Sequence, residues 1–132
     1  MTLTCLGAVE TVLSGAPRSV SEARALVRSE LGGSTLTEAA ELAVSELATN
    51  AIAYTRSGLA DGMFGVTVQR VKDGVVICVR DGGARAAPKL ADLEPGTEHG
   101  RGLLIIAALA AEWGTEAVAG GRVTWCRIER DL

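Results

Sequence analysis

The chain has 132 residues, 48% of them apolar and 22% charged, with 13 basic against 16 acidic groups. That length and apolar content suit one domain with a packed core and exclude a disordered chain. A formal net charge of -3 and only four aromatic residues exclude a basic nucleic-acid face and a stacking platform for single strands.

Residues 3–13 are predicted as a short strand. Ser14-Gly15-Ala16-Pro17 follows as a turn, with Pro17 suited to the first turn of a helix. From Ser19 to Leu31, the apolar residues Val20, Ala23, Val27 and Leu31 recur at helical spacing, and Gly32-Gly33 stops the pattern. Ser34 or Thr35 can cap the next helix, and Glu38 is at the right distance from Thr35 for a capping box.

That helix, residues 36–55, carries the most information. Glu38, Glu41, Ser45 and Thr49 mark its predicted exposed face, and almost every other position is Ala, Leu, Val or Ile. Glu46 and Asn50 are the exceptions, about 95° and about 135° round from the centre of that face. Two polar side chains one turn apart therefore point together toward the interior side of an otherwise apolar helix.

After the turn from Ser57 to Gly62, Phe64–Val71 and Val75–Val79 alternate as the strands of a hairpin around Asp73-Gly74. Asp81-Gly82-Gly83 ends it, and residues 84–99 show no regular pattern, as in a functional or mobile loop. Gly102 to Trp113 is predicted as a third helix. Gly114–Ala119 and Arg122–Glu129 are predicted as a closing hairpin joined by Gly120-Gly121. This order gives an α+β fold: a mixed, largely antiparallel sheet in one layer and helices packed on one of its faces.

Cys5, Cys78 and Cys126 are odd in number, far apart and set in apolar contexts, which predicts buried free thiols in a reducing compartment. The lone histidine, His99, leaves no Cys/His zinc pattern. Met1 to Val12 lacks the charge pattern of a signal peptide, and the longest apolar run, Leu103 to Ala111, is too short to span a bilayer. The expected location is the cytoplasm.

Three constellations can carry chemistry. Glu46-x-x-x-Asn50 offers an amide oxygen for a cation and a carboxylate able to take a proton from a nucleophile, or else a local hydrogen-bonded pair. Asp81 at a strand end can accept a hydrogen bond from an exocyclic amine while Gly83 lets backbone approach a flat ring; the same residues also make an ordinary turn. Gly96 to Gly102, running into a helix, is either an anion site or a flexible lead-in. No Walker loop and no dinucleotide fingerprint is present.

The order of the three, an ExxxN helix, then D-x-G, then G-x-G, resembles the ATP-binding GHKL fold of gyrase, Hsp90, histidine kinases and MutL, also called the Bergerat fold. Ala43 to Thr55 (AVSELATNAIAYT), Val79 to Pro88 (VRDGGARAAP) and Gly100 to Gly114 (GRGLLIIAALAAEWG) resemble the anti-sigma-factor serine/threonine kinases of the RsbW and SpoIIAB type. Pro17 to Leu31 and Gly121 to Ile128 extend the likeness over nearly the whole chain.

The resemblance implies one two-layer α/β sandwich domain over 1–132, with ATP and Mg²⁺ as its ligands. Asn50 would hold the Mg²⁺ on the phosphates, and Glu46 would be the catalytic base for a serine of a protein substrate. Asp81 would bind the adenine amino group, with Gly83 beneath the ring. Gly100 and Gly102 would form the hinge of an ATP lid at residues 84–99, with Arg101 near the phosphates. Two positions depart from the family. Tyr54 stands where relatives have His. The Thr that relatives usually place near adenine aligns with Val123, which implies either weaker adenine recognition or use of Thr124 through a shifted register, since neighbouring residues of an unbroken strand face opposite ways. The implied partners are a sigma factor and a STAS-domain anti-anti-sigma protein, with no direct nucleic acid, no membrane and a homodimer possible. Two other readings are a module that binds such a partner with little or no kinase activity, and a structural domain without nucleotide.

Overall fold

The computed structural model describes residues 8–83 and 98–130, with residues 98–101 as backbone only. The elements run β1 (Glu10–Ser14), α1 (Ser19–Leu31), α2 (Thr37–Tyr54), a 3₁₀ turn (Arg56–Gly58), β2 (Met63–Val71), β3 (Gly74–Asp81), α3 (Glu98–Leu109), β4 (Glu112–Val118) and β5 (Gly121–Glu129). The five strands form one sheet in the order β1-β2-β3-β5-β4. Each described pairing is antiparallel, so the mixed, largely antiparallel sheet predicted is antiparallel throughout the described residues.

One face of the sheet carries the helices. Phe64, Val66, Val75, Ile77, Val79, Cys126 and Ile128 from the strands meet Ala23 and Val27 of α1, Ala43, Val44 and Leu47 of α2, and Ile106 of α3 in a single core. Alanines at 40, 43, 48 and 51 are almost wholly buried along α2, so small side chains let this helix lie close to the sheet. Alternation along each strand sends the intervening residues to the opposite face. There Glu10 of β1 and Arg80 of β3 form a two-pronged ion pair across the bare Gly65 of β2, with N–O distances of 2.9 and 2.6 Å.

Several sequence expectations are corrected. Neither Ser34 nor Thr35 takes the capping place, and the Thr35–Glu38 box does not form: the residue before α2 is Leu36, without a side-chain cap, and the Ser34 hydroxyl accepts the Leu36 N–H at 3.2 Å. On α2 the exposed residues are Glu38, Leu42, Thr49 and Ala53. Glu41 and Ser45 are half-buried: Glu41 pairs with Arg28 of α1, and the Ser45 hydroxyl donates to the Glu41 carbonyl. Helix α3 begins at Glu98 rather than at Gly102 and ends before Trp113, which lies in β4. The two tight loops sit one residue earlier than read, at Lys72-Asp73, with Asp73 at φ 58°, and at Ala119-Gly120, with Gly120 at φ 77°.

Cys126 is a free, buried thiol as predicted, but Cys78 is disulfide-bonded. Separation along the chain does not bear on such a bond, because a disulfide needs only that the fold bring two Cα atoms within about 7 Å. Cys5 lies outside the described residues. No helix among the described residues is long and apolar enough to cross a membrane.

Candidate functional site

The candidate site is built around the C-terminal part of α2: the start of α3 packs against this helix, and the turn that follows it holds the end of β3. Glu46 and Asn50, one turn apart on α2, are both half-buried. They face Gly102 in the first turns of α3. A β-carbon on Gly102 would lie 3.2 Å from Glu46 Oε2 and 3.3 Å from both heavy atoms of the Asn50 amide. Glycine costs roughly 1 kcal/mol against alanine inside a helix, and here it leaves room for these two polar ends. Neither side chain is hydrogen-bonded or ion-paired to a described residue. The helix therefore presents an uncommitted carboxylate and an uncommitted amide side by side.

Gly100 and Gly102, expected as the hinge of a lid, both belong to α3. Local sequence could not show this, because paired glycines normally mark a helix boundary. The side chain of Arg101 and the lid residues 84–97 lie outside the described residues, as do the side chains of residues 98–99.

At the other pole, Asp81 is the last residue of β3. Its Oδ1 accepts the Gly83 N–H at 2.7 Å. Gly83 has φ 87°, a conformation that favours glycine, and its bare α-carbon side faces the α-carbon of Gly121, so no side chain of either residue crowds this corner. Burial pushes the Asp81 carboxyl above its ordinary range, against the opposing pull of the Gly83 N–H and of the Arg122 guanidinium. Asp81 forms no ion pair with a described residue.

Arg122 stands directly across from Asp81 in the β3–β5 ladder, and Thr124 stands across from Val79. Cys126 and Ile128 are in the core, so alternation places Thr124 and Arg122 on the helix-bearing face with Asp81, and Val123 on the other. No shift of register is required to bring a threonine to this side. The Thr124 hydroxyl lies 3.2 Å from that of Thr115 on β4, and Arg122 donates to the same Thr115 oxygen at 3.2 Å. Sequence reading missed Thr115 and Arg122, since nothing in β4 or β5 alone shows that they line up beside Asp81.

The two poles are tied together by the turn after α2. Arg56 donates its N–H to Gly83 O at 2.9 Å, and the Ser57 hydroxyl accepts the Gly82 N–H at 2.9 Å. Tyr54, the last residue of α2, is half-buried next to this turn.

The family model described as the histidine kinase-like ATPase domain matches residues 13–128. The chain belongs to that family. No curated protein gives a match. The α+β architecture and the antiparallel sheet agree with the GHKL type, and membership implies that the ATPase domain binds ATP. A Mg²⁺ ion fits the donor set in one way only. Among the described residues no three His, Cys, Asp or Glu side chains cluster to hold a metal. Mg²⁺ keeps few protein ligands and is commonly completed by phosphate oxygens and water, which suits the uncommitted amide of Asn50.

Proposed function

We propose that this histidine kinase-like ATPase domain is a cytoplasmic serine/threonine protein kinase of the anti-sigma type. It would sequester a sigma factor and phosphorylate a STAS-domain anti-anti-sigma partner. The observation that carries the kinase reading is the Glu46 carboxylate beside the Asn50 amide, both uncommitted and both against the bare Gly102. The partners rest on the likeness of residues 43–55, 79–88 and 100–114 to the RsbW and SpoIIAB type.

In this reading Asp81 accepts the exocyclic amine of adenine, Gly83 leaves its ring uncovered, and Thr124 stands on the same face of the sheet. The start of α3, with Gly100, Arg101 and Gly102, lies on the phosphate side. Mg²⁺, held by Asn50 together with the phosphates, would neutralise phosphate charge. Glu46 takes the proton of the substrate serine as its oxygen bonds to the γ-phosphorus; the bond from that phosphorus to the β–γ bridging oxygen breaks, and ADP leaves.

The test incubates the pure protein with γ-labelled ATP, Mg²⁺ and a panel of STAS-domain proteins. Label should appear on a serine or threonine of a partner and disappear in Glu46→Ala. Partner capture with no transfer would establish instead a binding module without kinase activity. Absence of ATP binding in the wild type would leave a structural domain.

A further inference from the structure

The residues that fix Asp81 relative to Asn50 belong to the turn between α2 and β2, outside all three sequence constellations. Ser57 is 1% exposed. Its hydroxyl accepts the Gly82 N–H at 2.9 Å, and its own N–H donates to the Thr55 hydroxyl oxygen at 3.0 Å. The Thr55 hydroxyl in turn donates to the Ala51 carbonyl at 2.6 Å, one residue beyond Asn50. Beside this chain of bonds, the Arg56 N–H holds the Gly83 carbonyl at 2.9 Å. The Ser57 carbonyl is itself wedged between two glycines, since a β-carbon on Gly15 or Gly62 would collide with it.

We propose that Ser57 is a positioning residue for base recognition, holding the Asp81–Gly83 strand end at a fixed offset from Asn50. The inference rests on the nucleotide-binding reading above. Each link from Ala51 to Gly82 is a backbone group or a hydroxyl on a single carbon. No long side chain is present to absorb a displacement by changing rotamer. Removing the Ser57 oxygen leaves the Gly82 N–H without its partner at the position next to Asp81. The strand end then settles elsewhere, and Asp81 meets the base off its mark. Ser57 reaches the Asp81 pole through the Gly82 N–H and makes no hydrogen bond to Glu46 or Asn50, so its effect is confined to the part of the ligand that Asp81 reads.

That confinement defines the test. Inosine triphosphate keeps the ribose and triphosphate of ATP but carries a carbonyl where adenine has its amine, so its 6-position accepts where that of adenine donates to Asp81. Dissociation constants for ATP and inosine triphosphate are measured by calorimetry on the full chain, wild type and Ser57→Ala, together with each melting temperature. The wild type should prefer ATP. Ser57→Ala should narrow that preference about tenfold while the affinity for inosine triphosphate stays nearly constant. A variant that melts lower yet keeps the wild-type preference overturns the proposal, because a merely structural serine predicts that result. A wild type with no preference removes base reading by Asp81 itself, an outcome distinct from the first. Should Ser57→Ala not fold, Thr55→Val breaks the same chain one link earlier and should narrow the preference in the same direction.

Discussion

Gly102 of α3 stands against Asn50 of α2 so closely that a β-carbon there would lie 3.3 Å from both the oxygen and the nitrogen of the amide. The space over Asn50 and Glu46 is therefore set by a residue of another helix, and it can be filled without substituting either polar residue.

Gly102→Ala separates stability from ligand binding. Alanine is the better helix former by roughly 1 kcal/mol. The atoms nearest its β-carbon are the ends of two side chains, which can give by a few tenths of an ångström. Chemical denaturation should show stability within about 1 kcal/mol of wild type. Calorimetric titration with MgATP should show weakened binding, and Gly102→Val should weaken it further.

Asp81 links pH to binding with a definite sign. Burial raises its folded carboxyl above the ordinary value, so it takes up a proton at higher pH than an exposed aspartate would. Only the ionised carboxylate keeps both oxygens as acceptors, one for the Gly83 N–H and one for the base. Affinity for ATP should therefore fall as pH drops through this raised range, and Arg122→Gln should move the loss to higher pH. The stability term has the opposite sense. A folded carboxyl raised above its unfolded value favours the native state while protonated, and that contribution is lost as pH rises through the folded value. Asp81→Asn, which keeps an oxygen for the Gly83 N–H, should melt no lower than wild type at neutral pH while losing its preference for adenine.

Gly121 and Gly33 should respond in opposite ways to alanine. A β-carbon on Gly121 would land on the Asp81 carbonyl, which is backbone rather than the end of a flexible side chain. Gly121→Ala should cost roughly 2 kcal/mol or more in urea denaturation. Gly33 has open space around it, and Gly33→Ala should stay within about 1 kcal/mol of wild type.

The Cys126 thiol is pushed up to about 12 by burial, opposed by a backbone hydrogen bond from Ile77. It stays protonated across the neutral range, and the thiolate is the reactive form. Alkylation at neutral pH, followed by mass spectrometry, should leave Cys126 unmodified in the native protein and label it on unfolding.

Much of the fold could be read from local pattern. Helix α1 runs from Ser19 to Leu31 as its apolar spacing requires, and the β2–β3 hairpin follows from alternation on either side of a short turn. Glu46 and Asn50 share a face because four residues nearly complete a helical turn, whatever else the chain does. Local pattern failed where a neighbour decided the outcome. Glu41 looked like a solvent residue until α1 supplied Arg28, and Leu42 took its place on the exposed ridge. Gly100 and Gly102 looked like a helix boundary, although the helix runs through both.

The sequence by itself determined the periodic elements and the pairing of Glu46 with Asn50, because both depend on geometry repeated within a few residues. Only the tertiary structure decided that Gly102 faces this pair, that Ser57 holds Gly82, and that Thr124 rather than Val123 shares a face with Asp81. Those relationships depend on packing and strand register between distant segments. A slip of one residue in that register would turn every side chain of β5 to the other face.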